Sequence, residues 1–549
     1  MKTKHILAIA CSVLALSSCS DFLDVQPEGN PTKDNYFTND DQAVDAIDGL
    51  YAPIHQEGLF GREMFWEQGA ACDIVWGRPR GFNTLATFNY TGDEDPLKGT
   101  FDRLYNVMSR SNFVIEKLVE KEKTTALSAV EKRSLGEAYF MRAFSHFYIA
   151  YRYGTKDQGV PFVRYEDYGG NYDESTIPPQ QKSVTDNYKY IIEDLDKAIS
   201  YLPKFEDYTA DDQGRAHKAA AVAYKAKVYA YWATWDKSQW ENVIKMVDEL
   251  ENTYGRDLAP SLSTVFSSEY SDFWTKEYLF GIAGNGGATG GGSEFPGVIL
   301  ENKAWGIYNG WGQIKPSYDI YAEMEKDGEG NARLKQAILA YGDEFQFFGK
   351  TRRFFSSSDT EAGFQINKYM DAFKHENATE EGYVNANGNW PTTRVNFPLI
   401  RFAEMLLFRA EAYLNIGGEA NAQKATADIN RIRVRSGLKP ITGRNATMTD
   451  LYHERRCELA FEFTDHLYDL KRWHLAGNAE IKALAEKELN SHPQVRHYTD
   501  RTDPDSKFTI GDYEDYQNKN KYDDHMIVFP YPSVVITKSG GQLKQNAGY

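Results

Sequence analysis

The chain has 549 residues and carries 79 acidic against 62 basic side chains, a formal charge of −17. So acidic a chain is not built to hold nucleic acid or anionic lipid through bulk charge, and a neutral or cationic partner fits it better. The length admits one large domain or several.

The chain opens on a targeting signal. Lys2 and Lys4 form a basic start, Ile6 to Leu16 is an uncharged apolar run too short to span a bilayer, and Leu16-Ser17-Ser18 leads into Cys19. That order predicts a lipoprotein signal over residues 1–19, with Cys19 the lipidated residue that ties the mature chain to a membrane. Losing Lys2 and Lys4 takes the charge from −17 to −19. No later run approaches about 18 consecutive apolar residues, so no transmembrane helix is expected. Cys11 lies within the signal, which leaves Cys72 and Cys457. Two cysteines so far apart are expected to be free and buried. There is no Cys/His cluster at ligand spacing and no EF-hand-type loop, so neither a metal nor a cofactor is expected.

Downstream, apolar residues recur at helical steps. Phe140, Ala143, Phe144, Phe147, Tyr148 and Tyr151 line one face within residues 136–151. Tyr188, Ile191, Ile192, Leu195, Ile199 and Leu202 do the same. Ala219, Ala223, Ala226 and Ala230 form a stripe of small residues that lets a neighbouring helix approach closely, and Trp240, Val243, Ile244, Val247 and Leu250 read as its antiparallel mate. Leu399, Phe402, Leu406, Ala410 and Tyr413 predict another helix, Ile429 and Ile432 its partner, and Leu459, Phe463, Leu467 and Leu470 a last one. The predicted fold is mainly α. Tetratricopeptide-like helix pairs form a scaffold interrupted by long loop-rich insertions, without a strict 34-residue period. Residues 20–549 are read as one domain, with helical repeats at about 36–255, a loop-rich insertion at about 256–398, and C-terminal helices and tail at about 399–549. The stretch GNGGATGGGSEFPG at 284–297 matches neither phosphate-binding glycine motif and reads as a mobile loop.

Several segments, taken in order, resemble the SusD/RagB family of outer-membrane nutrient-binding lipoproteins. After Cys19 come Asp21-Phe22-Leu23-Asp24 and Pro27. Gly136 to Ala143 (GEAYFMRA) is followed by Tyr153-Gly154 and Val160-Pro161, and then by Gly214-Arg215-Ala216. Arg401 to Leu407 (RFAEMLL), Ala410-Glu411-Ala412 and Ile429 to Arg433 (INRIR) precede Glu454-Arg455-Arg456, Glu458 to Glu462 (ELAFE) and Asp469 to Trp473 (DLKRW). Gln545-Asn546 and Gly548-Tyr549 close the series. Most of these residues are expected on helices, with Arg and Glu pairing three or four positions apart to satisfy charge at packing faces. They read as structural.

The resemblance implies a non-catalytic, surface-exposed lipoprotein of a Bacteroidetes-type outer membrane, anchored by lipid. It implies delivery of a glycan ligand to a SusC-like TonB-dependent transporter. Some family members take peptide, so a peptide- or protein-capturing lipoprotein of the same fold is the alternative. Sugars are gripped by aromatic rings laid on their C–H faces, with amides, carboxylates and guanidiniums reaching the hydroxyls. In the Gly/Pro-containing loop at 72–83, Trp76 is the stacking candidate and Asp73, Arg78, Arg80 and Asn83 the polar ones; the family uses this region for its glycan site. In the loop at 305–312, Trp305, Tyr308 and Trp311 are spaced by three, but Gly306, Gly310 and Gly312 argue against a helix. Trp390 is a further candidate. An enzyme is not expected: there is no Ser/His/Asp order, HExxH or P-loop, and His453-Glu454 lacks a second His four residues on.

Overall fold

The computed structural model of the chain describes residues 36–56, 58–66, 71–76, 83–284, 303–305, 308–309, 312–347, 350–354, 362–369, 395–500, 503 and 505–549. Helices dominate. α1 (Asp40–Tyr51), α2 (Asp95–Glu122), α3 (Ala129–Tyr153), α4 (Val184–Tyr201), α5 (Lys218–Trp232) and α6 (Trp240–Asn252) come first. An intervening segment holds short strands with α7 (Tyr318–Glu325) and α8 (Ala332–Ala337). The chain then returns to helix in α9 (Phe402–Ile416), α10 (Glu419–Arg435), α11 (Met448–Glu458), α12 (His466–His474) and α13 (Ala479–Asn490). Among the described residues no helix is long and apolar enough to cross a membrane.

The helices pack in sequence as a stacked array. α2 lies on α3, α3 on α4, α4 on α5 and α5 on α6. α6 then packs on α9, and α9 on α10, so the array resumes across the intervening segment as though it were absent. The alanine stripe explains one close approach: Ala219, Ala223, Ala226 and Ala230 of α5 are all buried, between α4, α6 and α9. α3 is the central element. A capping box of Ser128 and Glu131 opens it, and from Ser134 to Tyr153 every residue is buried. A helix covered on all sides carries no amphipathic stripe to the surface.

Two features depart from the sequence reading. Leu399 belongs to a strand, β10 (Phe397–Arg401), which pairs antiparallel with β2 (Tyr278–Ile282), and α9 begins only after it. The predicted last helix, Leu459 to Leu470, is broken. α11 ends at Glu458, and the chain turns through Phe461 (φ 65°) and Asp465 (φ 59°) before α12 begins. The carbonyls freed by the break find new donors: Lys368 Nζ donates to those of Glu458 (3.0 Å) and Ala460 (2.8 Å), and the Tyr369 hydroxyl to that of Phe461 (2.9 Å). Tertiary partners thus replace the helical hydrogen bonds.

The motif arginines bury charge, but their partners lie mostly in other elements rather than one helical turn away. Arg142 Nε donates to Asp194 and its Nη atoms to Glu166 and Asn112. Arg401 binds Glu277 (2.6 Å), Glu458 (2.9 Å) and Glu462 (2.6 Å), all four side chains at 0% exposure. Arg455 reaches Glu404 and Asp469. Arg472 with Asp469 does keep the three-residue spacing, and Arg472 also binds Glu411. Burial pushes the Glu458 carboxyl up, but Arg435, Arg401 and Arg333 overcome this and hold it at about 2. These networks stitch β10, α9, α11 and the intervening segment together.

Candidate functional site

The segment that ends on Trp76 pairs with the strand that follows the second aromatic segment in sequence. β1 (Ile74–Trp76) runs antiparallel to β5 (Ile314–Pro316), with Ile74 opposite Pro316, Val75 opposite Lys315 and Trp76 opposite Ile314. Because the strands are antiparallel, Trp76 and the residues Gly312 and Gln313 that lead into Ile314 lie at the same end of the ribbon. Just upstream, β3 (Lys303–Trp305) and β4 (Tyr308–Asn309) form a tight hairpin with Trp305 opposite Tyr308. Trp76, Trp305 and Tyr308, expected in loops, are therefore strand residues, in keeping with the argument against a helical stripe. Asn83 opens a short helix, Asn83–Ala86. Arg78, Arg80, Trp311, Trp390 and Cys19 lie outside the described residues.

The ribbon is anchored from behind. β5 packs on β9 (Phe364–Ile366), which pairs with β6 (Ile338–Ala340). The buried Lys315 Nζ donates to Gln365 Oε1 at 2.6 Å, and Ser317 N donates to the Asp73 carbonyl at 2.9 Å. α7 follows β5 directly and ties it to the scaffold: Glu323 is bound by His453 Nδ1 at 2.7 Å. His453 and two arginines surround Asp327. Arg333 reaches Asp327 (2.6 Å) and Glu454 (2.5 Å), and Arg433 reaches the same two.

Asp73 is a correction. It faces inward at 8% exposure, and its Oδ1 accepts from Arg456 Nε (2.9 Å) and Nη2 (2.6 Å). Its carboxylate is committed to the interior and does not reach outward from the ribbon. Asp73, His466 and Glu488 bring three ligating atoms within 4.8 Å of one another. Arg456 stands among them, 2.6 Å from Asp73 and 3.7 Å from Glu488, and supplies the positive charge that the two carboxylates require. Cys72 and Cys457 are both free and buried. The Cys72 Sγ contacts the carbonyls of Glu488 and Ser491, and burial pushes its thiol well up, which keeps it protonated and unreactive.

The sequence profile described as "SusD family" matches residues 205–549, and one described as "Starch-binding associating with outer membrane" matches residues 21–230. A SusD-like protein of Bacteroides ovatus is 24% identical over 537 residues, covering 94% of this chain and 90% of its own. A SusD-like protein of Bacteroides fragilis superposes with a TM-score of 0.72 at 20% identity, over 94% of this chain and 98% of its own. Surface glycan-binding protein A of Bacteroides uniformis superposes with a TM-score of 0.68 at 20% identity, over 93% and 100%. The stacked helices, the buried motif arginines and a profile match over more than half of the sequence agree: this chain belongs to the SusD family.

Proposed function

We propose that the chain is a non-catalytic, lipid-anchored protein of the outer-membrane surface. It binds oligo- or polysaccharide on an aromatic platform and passes it to a TonB-dependent transporter. The observation that carries this reading is the antiparallel β1–β5 pair, in which Trp76 stands opposite Ile314, and Ile314 follows the segment bearing Trp305, Tyr308 and Trp311 closely in sequence. Flat aromatic rings suit the C–H faces of sugars, and Arg78, Arg80 and Asn83 follow Trp76 closely enough in sequence to supply hydroxyl contacts. Trp390 is a further candidate ring. The starch-binding profile and the surface glycan-binding neighbour support the ligand class. Acylation of Cys19 would provide the anchor.

The test is affinity electrophoresis of the chain from Ser20 onward through gels containing neutral and acidic polysaccharides, with Trp76→Ala and Trp311→Ala alongside. Retardation by one glycan, weakened roughly tenfold in affinity by each substitution with circular dichroism unchanged, supports the reading. Free migration in every gel contradicts it and favours peptide capture.

A further inference from the structure

A second groove lies on the helical scaffold, built from elements other than the β1–β5 ribbon. It is about 660 Å³ in volume, within the usual range of small-molecule sites, and lies between the segment 162–168, the segment 179–182 and the first turns of α4. On its rim stands Tyr168, 49% exposed, an uncommon exposure for so large a ring. The ring is braced from behind. Tyr172 meets Tyr168 edge-on at 5.0 Å and itself stacks on the buried Tyr165 at 4.4 Å and 23°. Tyr168 also ends a one-turn helix closed by Gly169 in the left-handed region, so both backbone and side chain are fixed.

The groove wall is planar and polar. The Arg164 guanidinium lies over the Tyr190 ring at 4.8 Å and binds Glu193 at 2.7 Å. Gln181 Nε2 donates to the carbonyls of Phe162 (3.2 Å) and Pro179 (3.1 Å), and Gln180 Nε2 to that of Gly159 (3.0 Å), which locks both amides in place. Charge in the groove is balanced: Arg164, Lys182 and Lys189 face Asp167, Asp186 and Glu193. Lys189 with Asp186 (2.9 Å) and Arg164 with Glu193 already neutralise each other. Such a surface offers no net charge to an ionic ligand and few aliphatic side chains to a peptide. It offers a braced aromatic face ringed by fixed amides and paired charges, the chemistry that suits a neutral polyhydroxylated ring.

We infer that this groove is a second carbohydrate subsite, for a neutral oligosaccharide that stacks on Tyr168. The ligand class rests on the glycan-binding reading, but the site does not depend on where the first platform lies. The experiment is hydrogen–deuterium exchange of the chain from Ser20 onward with α-1,4- and β-1,3-linked glucan oligosaccharides. The wild type is compared with Tyr168→Ala and with the Trp76→Ala/Trp311→Ala double variant. Tyr168 is exposed, so its substitution leaves the core intact. The expected result is slowed exchange in residues 162–190, kept in the double variant, with apparent affinity there at least roughly fivefold lower in Tyr168→Ala. Protection confined to the segments around Trp76 and Trp305 overturns the second subsite and leaves the platform standing. Protection confined to 162–190 supports the subsite and overturns the platform. Protection at neither place by either sugar overturns both.

Discussion

Trp76 stands opposite Ile314 across the antiparallel β1–β5 pair. Two stretches far apart in sequence thereby share one end of one ribbon, and the ribbon's far end is pinned to the scaffold through Asp73 and α7. A rigid strand pair positions the loops it carries more accurately than free loops would be held.

Asp73 separates anchoring from recognition. Asp73→Asn keeps the shape but removes the charge that Arg456 requires. We expect a stability loss of about 2–4 kcal/mol by chemical denaturation, with glycan affinity unchanged within about twofold. A large affinity loss at unchanged stability would place the carboxylate in the binding surface after all.

Arg401 holds three buried carboxylates from β2's entrance, α11 and the turn beyond it. Arg401→Ala strands Glu277, Glu458 and Glu462 in the interior. The expected cost is about 3–5 kcal/mol, read from thermal or urea unfolding. A loss below about 1 kcal/mol would mean that Arg435, Lys368 and water take over the charge, and that the network is redundant.

Lys368 replaces the helical donors lost where α11 stops. Lys368→Met keeps the aliphatic stem and removes the donors to the Glu458 and Ala460 carbonyls and to Glu462. The turn at 459–465 should then exchange its amides faster, by at least about tenfold, while α3 stays protected. Unchanged exchange in the turn would show that its conformation does not depend on this cap.

Glu137 gives a pH signature. It is 1% exposed, and burial pushes its carboxyl up to about 7, only partly opposed by Arg215 at 3.6 Å and by Arg133. The folded chain therefore keeps this proton up to about pH 7, whereas the unfolded chain releases it near the ordinary 4.5. Between those values the folded state binds more protons, so stability falls as pH rises. Glu137→Gln stays neutral and escapes that loss. Relative to wild type it should gain stability from pH 4.5 to 7, by up to about 3 kcal/mol, and hold the gain above pH 7. Parallel stability curves for the two proteins would contradict the assignment.

Helices with a clear 3.6-residue stripe were legible in the sequence: Tyr188 to Ile199, the alanines of α5 and the mate beginning at Trp240 all fall in helices, and Leu202 caps the first of them. α2 was missed, although Leu97, Phe101, Leu104, Met108, Ile115 and Leu118 keep the same period; charged residues fill its outer face and dilute the signal. The break after Glu458 was not legible. Leu459 and Phe463 in the turn and Leu467 and Leu470 in α12 are all buried, so periodicity continues through a turn whose partner, Lys368, lies far away in sequence. The motif arginines were read correctly as structural, but spacing suggested local partners, and buried guanidiniums choose theirs by tertiary geometry. In the same way, Asp73 looked like a loop residue beside Trp76 until Arg456 was placed against it. That Trp76 stands opposite Ile314, close in sequence to Trp311, is a pairing relation between distant segments, which composition and periodicity do not encode.

The most direct measurement is a double-mutant cycle on glycan affinity, by isothermal titration calorimetry with the polysaccharide that retards the wild type. It compares Trp76→Ala, Trp311→Ala and the double variant. If both rings hold one ligand at one end of the β1–β5 ribbon, each single substitution weakens binding and the double loss departs from the sum by at least about 0.5 kcal/mol. Strictly additive losses, or no loss from either substitution, would contradict a shared platform.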